Sequence, residues 1–280
     1  MALNPHKLKE LLLEYLKELH LPACRASYEE LARQAQQESL SYEQYLLELV
    51  QRECQERRNK RVERLLHQSR LPLEKTWQAL DLKRLPAKGV QQARSLLEGS
   101  FVDRRENVLV FGPPGSGKTH LLCGLGQELV RSGRKVLFWS TELLVQELLA
   151  AKRDLKLSRV LKRLAGSEVL ILDDLGYVQQ SREEMEVLFV LLAERYERSS
   201  VLLTSNLPFS GWESIFKDPM TTAAAIDRLV HHSVIVELNI PSYRAEQAKK
   251  AKQRGSEPRE SGDAGGPEKA PGEKPCGGTG

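Results

Sequence analysis

Apolar residues recur with two different periods along the chain. Near the N-terminus Leu8, Leu11, Leu12, Tyr15, Leu16 and Leu19 fall three or four apart, with lysines and glutamates between them. That spacing predicts an amphipathic helix, which His20-Leu21-Pro22 ends. Ser27 with Glu30 and Ser41 with Gln44 fit capping boxes at further helix starts. From Tyr42 onward Tyr45, Leu46, Leu49 and Val50 lead into Val62, Leu65 and Leu66, so the last helix is long. Residues 1–70 thus read as a small all-helical domain. Residues 71–100 form a connector with an apolar set, Trp77, Leu80, Leu82 and Leu85, between Pro72 and Pro86, and then a short helix from Val90 to Glu98. Two roles for the connector stay open, packing between domains and a wall on the adenine side of a nucleotide.

Beyond residue 107 short apolar runs alternate with helical periods. Strands are predicted at Val108–Phe111, Lys135–Trp139, Val169–Asp173, Val201–Ser205 and Val234–Leu238, with helices near 118–131, 141–164 (broken), 183–198 and 222–230. Such alternation specifies an α/β domain over 101–245, a parallel five-stranded sheet flanked by helices. The remaining residues, 246–280, form a tail. Within it, 251–280 hold eight glycines and four prolines but no Val, Ile, Leu, Met or aromatic residue. This composition cannot bury enough surface to order itself, so disorder is expected.

Length and composition fit this division. A chain of 280 residues with 40% hydrophobic residues accommodates one large and one small domain. Lys and Arg number 42 against 38 Asp and Glu, a net charge of +4 too small to name a partner by itself. The four cysteines, Cys24, Cys54, Cys123 and Cys276, are scattered and have neither metal-ligand nor disulfide-framework spacing. No signal peptide and no membrane-length apolar run is evident, so a cytoplasmic protein is expected.

The most specific chemistry follows the first predicted strand. Gly112-Pro113-Pro114-Gly115-Ser116-Gly117-Lys118-Thr119 satisfies the phosphate-loop pattern G-x-x-x-x-G-K-S/T, with His120 next. Glycines free the backbone to aim N–H groups at an anion, and the following helix adds its positive end. Lys118 is placed to reach the β- and γ-phosphates of a nucleotide, and the Thr119 hydroxyl to ligate Mg²⁺. Val169-Leu170-Ile171-Leu172 runs into Asp173 and Asp174. After a phosphate loop, the first carboxylate suits Mg²⁺ and the second suits a general base for water; paired acids at a strand end otherwise serve a turn. Asn206 closes the next strand, where it either orients water beside the γ-phosphate or simply begins the Asn-Leu-Pro turn. Arg228 is either an arginine finger for a neighbouring subunit or a surface partner of Asp227. His231 and His232 lack further local metal ligands.

Two basic stretches are candidates for nucleic acid. Arg57, Arg58, Lys60 and Arg61 lie in the long helix, where a solvated face is the competing reading. Lys152, Arg153, Lys156, Arg159 and Arg163 are opposed locally by Asp154 alone, and positions 152, 156, 159 and 163 share one helical face. No base-reading motif accompanies either stretch, so contacts with DNA phosphates are expected.

With these motifs together, the chain resembles the IstB-like ATPases, transposition helpers of bacterial insertion sequences and kin of DnaC-type helicase loaders. The resemblance is carried by Phe111–Leu121, Ile171–Gly176, Thr204–Ser210 with Trp212, Asp227–His232, and Ser242-Tyr243-Arg244. Arg57–Arg61 and the Pro72…Lys75-Thr76 connector also fit. It implies an AAA+ P-loop NTPase that binds ATP and Mg²⁺, assembles as an ATP-dependent oligomer on DNA, duplex by preference, and assists the transposase of its element. By position it implies Asp173 and Asp174 as the Walker B pair, Asn206 as sensor 1, Arg228 as a finger acting in trans, and Arg244 as a second sensor. Asn239-Ile240-Pro241 stands where the family usually has a glycine before Ser-Tyr-Arg. A DnaC-like helicase loader is the alternative within the class. A small-molecule P-loop kinase and a non-hydrolysing nucleotide switch are more remote, since neither accounts for both the basic helices and the paired acids.

Overall fold

The computed structural model describes residues 4–176, 181–216 and 219–243. The tail expected to be disordered and Arg244 both lie outside them. Three helices come first: α1 (Pro5–Glu18), α2 (Pro22–Gln37) and α3 (Tyr42–Ser69). Ser41 caps α3 in a full capping box with Gln44, as its spacing predicts. Ser27 does not cap a helix. Pro22, at the first position of α2, starts that helix earlier, and the Ser27 hydroxyl donates within it to the Ala23 carbonyl at 2.8 Å. The cap for α2 comes instead from Glu53 on α3. Its Oε2 accepts from the Ala23 and Cys24 N–H groups at 2.8 and 3.2 Å, while Oε1 accepts from Arg57 Nε at 2.9 Å.

α3 spans about 42 Å at 1.5 Å per residue and belongs to two cores. Leu49 joins Leu16, Cys24 and Leu31 in a small helical cluster. Leu65, with Val62 and Leu66 against it, lies in the main core. The expected boundary at residue 70 therefore falls at the end of a helix already packed into the larger unit.

That unit contains α4 (Ala87–Leu97), α5 (Ser100–Asp103), β1 (Asn107–Phe111), α6 (Lys118–Arg131), β2 (Val136–Ser140), α7 (Thr141–Arg153) and α8 (Leu157–Ala165). β3 (Val169–Leu175), α9 (Arg182–Arg195), β4 (Ser200–Ser205), α10 (Glu213–Phe216), α11 (Pro219–Val230) and β5 (Ser233–Glu237) follow. All five strands are parallel, in the order β2-β3-β4-β1-β5. Alternate side chains feed opposite faces: Val108, Val110, Val169, Ile171 and Leu202 enter the core under α3, α4 and α6, while Leu109, Leu170, Leu172, Val201 and Leu203 enter the one under α7, α8, α9 and α11. Cover on both faces explains why the strands read as unbroken apolar runs. The order also sets the carboxyl ends of β1, β4 and β3 side by side, where the chain reverses its direction of growth across the sheet.

Among the described residues no helix is long and apolar enough to cross a membrane.

Candidate nucleotide site

The loop between β1 and α6 is held by close backbone packing. A Cβ on Gly112 would come within 2.5 Å of the Leu238 carbonyl oxygen, and one on Gly115 would collide with the Ser242 side chain. The segment after β5 crosses here: Leu238 N–H donates to Phe111 O at 2.7 Å and Tyr243 N–H to Gly115 O at 3.0 Å. Gly117 caps the start of α6 with φ 94°, lines the cleft and, among the described residues, has nothing within 4 Å of where a Cβ would stand. Lys118 is buried, its Nζ donating to the Gly112 and Pro113 carbonyls at 2.9 and 3.0 Å.

The β3 end sits beside this loop. Asp173 Oδ1 accepts from Thr119 at 2.9 Å and from Thr204, at the end of β4, at 2.7 Å. Burial pushes the Asp173 carboxyl above its ordinary value, with the neighbouring Asp174 adding to the rise; the two threonine hydrogen bonds and the charge of Lys75 oppose it. Asp174 is turned the other way. The β3–β4 register shifts between Leu172 and Leu175, and Asp174 takes a left-handed φ of 61° that points it out of the sheet into the cleft. Its N–H donates to Thr204 Oγ1 at 2.8 Å, so one hydroxyl holds both carboxylate residues.

Asn206 follows β4 and lines the same cleft. Its Oδ1 is buried without a hydrogen-bond partner among the described residues, and so is Ser116 Oγ in the loop. Behind Asn206, Phe209 packs edge-on against Phe111 with ring centroids 4.7 Å apart, and the fully buried Trp212 donates from Nε1 to Leu207 O at 3.2 Å. The Phe209–Trp212 stretch therefore braces the turn that presents Asn206.

The cleft measures about 510 Å³, enough for a nucleotide. Its second wall is the connector, which contributes Lys75, Leu80, Asp81 and Arg84, facing Ile240 and Tyr243. Of the two roles left open for the connector, it fills both: Leu71 and Leu85 are buried in the main core with Trp77, Leu80 and Leu82 packed against it, and Leu80 and Leu85 also line the cleft. Of Lys75, Leu80, Asp81 and Arg84 only two stand out in the sequence, Leu80 within an apolar set and Lys75 within a family pattern. Arg84 closes the wall, donating to Pro241 O at 3.1 Å and lying 5.0 Å from the Tyr243 ring centroid. Such contacts join segments far apart in the chain, so no local signal announces them. His120 lines the cleft and places Nε2 2.8 Å from the Thr76 carbonyl, tying α6 to the connector.

The carboxylate–hydroxyl pair of Asp173 and Thr119, at the end of the glycine loop, fits a divalent cation carried by a triphosphate, and the unsatisfied acceptor oxygen of Asn206 suits a water molecule beside it. Pro113 belongs to the loop, and Pro114 lines the cleft with Gly115 and Ser116.

Arg228 stands apart from this group. Its guanidinium lies 4.7 Å from the Phe189 ring centroid, and Nη1 donates to Ala224 O at 2.9 Å. No ion pair joins it to Asp227 among the described residues.

The basic stretches look different in three dimensions. The single helical face expected for Lys152, Lys156, Arg159 and Arg163 does not exist, because Leu155, with φ 59°, ends one helix and turns the chain before α8. Acids distant in sequence reach several of these cations: Glu186 is 3.1 Å from Lys152, Glu183 is 4.0 Å from Arg153, and Glu147 pairs with Arg163. Lys156 pairs with Asp154 at 3.2 Å. On α3, Arg57 holds Glu53 and the His20 carbonyl, and Lys60 pairs with Glu56 at 3.1 Å. Arg58, Arg61 and Arg159 have no carboxylate partner among the described residues.

Comparison with known proteins places this geometry. The family described as IstB-like ATP binding protein matches residues 14–251. A protein of Sinorhizobium fredii named as an insertion sequence ATP-binding protein is 39% identical over 244 residues, covering 87% of this chain and 82% of the relative. One from Pseudomonas aeruginosa, named for ATP binding and insertion sequence IS21, is 40% identical and covers 86% of this chain and 90% of its own length. Among solved structures, DnaI aligns with a TM-score of 0.50 at 23% identity, covering 60% of this chain and 94% of that one. DnaA bound to AMPPCP and single-stranded DNA aligns with a TM-score of 0.53 at 17% identity, covering 68% and 58%. At those identities the likeness is one of fold, and the fold is that of the AAA+ P-loop NTPases.

Proposed function

The chain belongs to the IstB-like ATP binding protein family, and on that premise we propose that it hydrolyses ATP with Mg²⁺ as an oligomer assembled on duplex DNA, assisting the transposase of its own insertion sequence. The observation that carries the hydrolytic part is Asp174. A switch that only binds nucleotide needs no second acid, yet this chain adopts a left-handed residue and a bulge in β3 to aim one into the cleft.

Bound ATP supplies the γ-phosphoryl group, and Mg²⁺ offsets its charge. The backbone N–H groups of Gly112–Thr119 and Lys118 would hold the phosphates, with Lys118 leaving its two loop carbonyls to do so. Thr119 and Asp173 would hold the cation. Asp174 accepts the proton of the attacking water, and the free oxygen of Asn206 fixes that water's orientation. Arg228, stacked away from its own cleft, serves a neighbouring subunit's site, which makes hydrolysis depend on assembly. Arg244, as a second sensor, and His120, through the connector, complete the nucleotide site. The helical domain of residues 1–70 engages DNA and partners through Arg58 and Arg61, with Arg159 from α8. The other basic residues contribute where their ion pairs open.

The test is steady-state ATP hydrolysis without DNA, with duplex and with single strands, alongside Lys118→Ala. Duplex stimulation that the variant loses supports the transposition helper. Stimulation by single strands alone supports a helicase loader, and indifference to both DNAs overturns the DNA-dependent reading.

A further inference from the structure

The two histidines that lack a third ligand in sequence acquire one in the fold. α9 and α11 pack side by side, so the residues just beyond their C-terminal ends meet. There, ligand atoms of Glu197, His231 and His232 all lie within 4.8 Å of one another. We propose that these three side chains bind a divalent transition metal of the zinc class, tying the end of α9 to the end of α11.

The backbone on both sides is already fixed. Arg105 Nη1 donates to the Glu197 carbonyl at 2.8 Å, and the Asn107 N–H at the start of β1 donates to the His232 carbonyl at 2.7 Å. Glu197 itself takes a left-handed φ of 56°, which carries its side chain toward the histidines. His231 Nδ1 is 4.0 Å from Glu197 Oε1, and the two imidazole rings are 4.1 Å apart at their centroids. Ligand atoms around a tetrahedral zinc ion stand about 3.4 Å apart, given metal–ligand distances of about 2.0–2.1 Å. All three side chains are exposed, so small rotamer changes close the difference without disturbing the core.

The Tyr196 hydroxyl lies 2.9 Å from His231 Nδ1. That nitrogen is also the one 4.0 Å from Glu197 Oε1, so its lone pair faces the carboxylate and a metal bound there takes the place of the phenol proton. Two imidazoles with one carboxylate favour zinc, cobalt or nickel over magnesium, which takes oxygen ligands. Three protein ligands leave a position for water. Because α11 also carries Arg228, an occupied site stiffens the helix presenting that arginine.

The experiment is calorimetric titration of the full chain with ZnCl₂, without nucleotide or Mg²⁺, repeated for Glu197→Gln, His232→Gln and a His67→Gln control on the exposed side of α3. A parallel Co²⁺ absorption spectrum separates imidazole and carboxylate ligation from thiolate ligation at Cys54. Losing an outer partner of a metal site weakens binding by about 10–100-fold, so loss of a direct ligand is expected to cost at least tenfold, with His67→Gln unchanged. Zinc should also raise the melting temperature of the wild type and of the control, but not of the two ligand variants. No saturable binding, thiolate-type cobalt bands, or binding that survives both Glu197→Gln and His232→Gln would overturn the proposal.

Discussion

Replacing Thr204 with valine removes one oxygen and nearly nothing else, yet that oxygen touches both acids of the cleft. It donates to Asp173 Oδ1 at 2.7 Å and accepts from the Asp174 N–H at 2.8 Å. A hydrogen bond to a charged group contributes about 1.5–3 kcal/mol and one between neutral groups about 0.5–1.5 kcal/mol, so the pair holds about 2–4 kcal/mol at this point. Without the hydroxyl, the Asp173 carboxyl rises further, since one of the two threonine bonds opposing its burial is gone. Asp174, in a left-handed conformation no glycine relieves, loses the acceptor that holds it there. If even 1.4 kcal/mol of this appears in the transition state, kcat falls about tenfold. The expected result is a fall in kcat of at least tenfold, with nucleotide affinity little changed, because the Thr204 hydroxyl bonds to the two acids and reaches the phosphate loop only through Asp173. Steady-state hydrolysis and equilibrium binding of a fluorescent ATP analogue separate the two. Wild-type kcat in Thr204→Val would refute the idea that this hydroxyl positions the acids.

Two further predictions concern carboxylates the fold treats in opposite ways. Burial would raise the Glu53 carboxyl, but hydrogen bonds from the Cys24 N–H, Arg57 and the Ala23 N–H together hold it below its ordinary value. A depressed acid stabilises above its unfolded value and loses that contribution as the pH falls through the folded one. Glu53→Ala should destabilise the helical unit by about 2–4 kcal/mol at neutral pH, a loss that vanishes in acid, read by urea melts of the full chain; equal melts at neutral pH would count against the cap. Asp173 is raised, so its ionised form costs the free protein stability as the pH rises through that value. Asp173→Asn should accordingly raise the melting temperature of nucleotide-free protein more at pH 8 than at pH 4, while removing Mg²⁺-dependent hydrolysis; a lower melting temperature would contradict the sign.

How much of this was visible in the sequence depends on the reach of each interaction. The strands and the phosphate loop are written in contiguous residues, since cover on both faces demands unbroken apolar runs and the loop demands glycine at fixed positions. All five strands lie within two residues of where the pattern puts them. What escaped is carried by contacts between distant segments. Glu53 reads as one charge in a basic helix, but it caps a helix thirty residues upstream. Ser27 has cap spacing, but Pro22 starts the helix sooner. The nucleotide cleft's connector wall depends on Arg84 meeting Pro241 and Tyr243. Likewise, the basic stretch of 152–163 is partly neutralised by acids from α7 and α9 that no local count includes.

The central claim is hydrolysis at a site completed by a neighbouring subunit, and mixing two inactive variants tests it most directly. Arg228→Ala keeps its own cleft and lacks the finger; Asp174→Asn keeps the finger and lacks the base. Steady-state ATP hydrolysis on duplex DNA should be nearly absent for each alone, because a finger of this kind contributes about 10³–10⁵ in rate. In an equimolar mixture it should return to a sizeable fraction of the wild-type rate. Arg228→Ala with wild-type activity alone, or a mixture as inactive as its parts, would contradict the account.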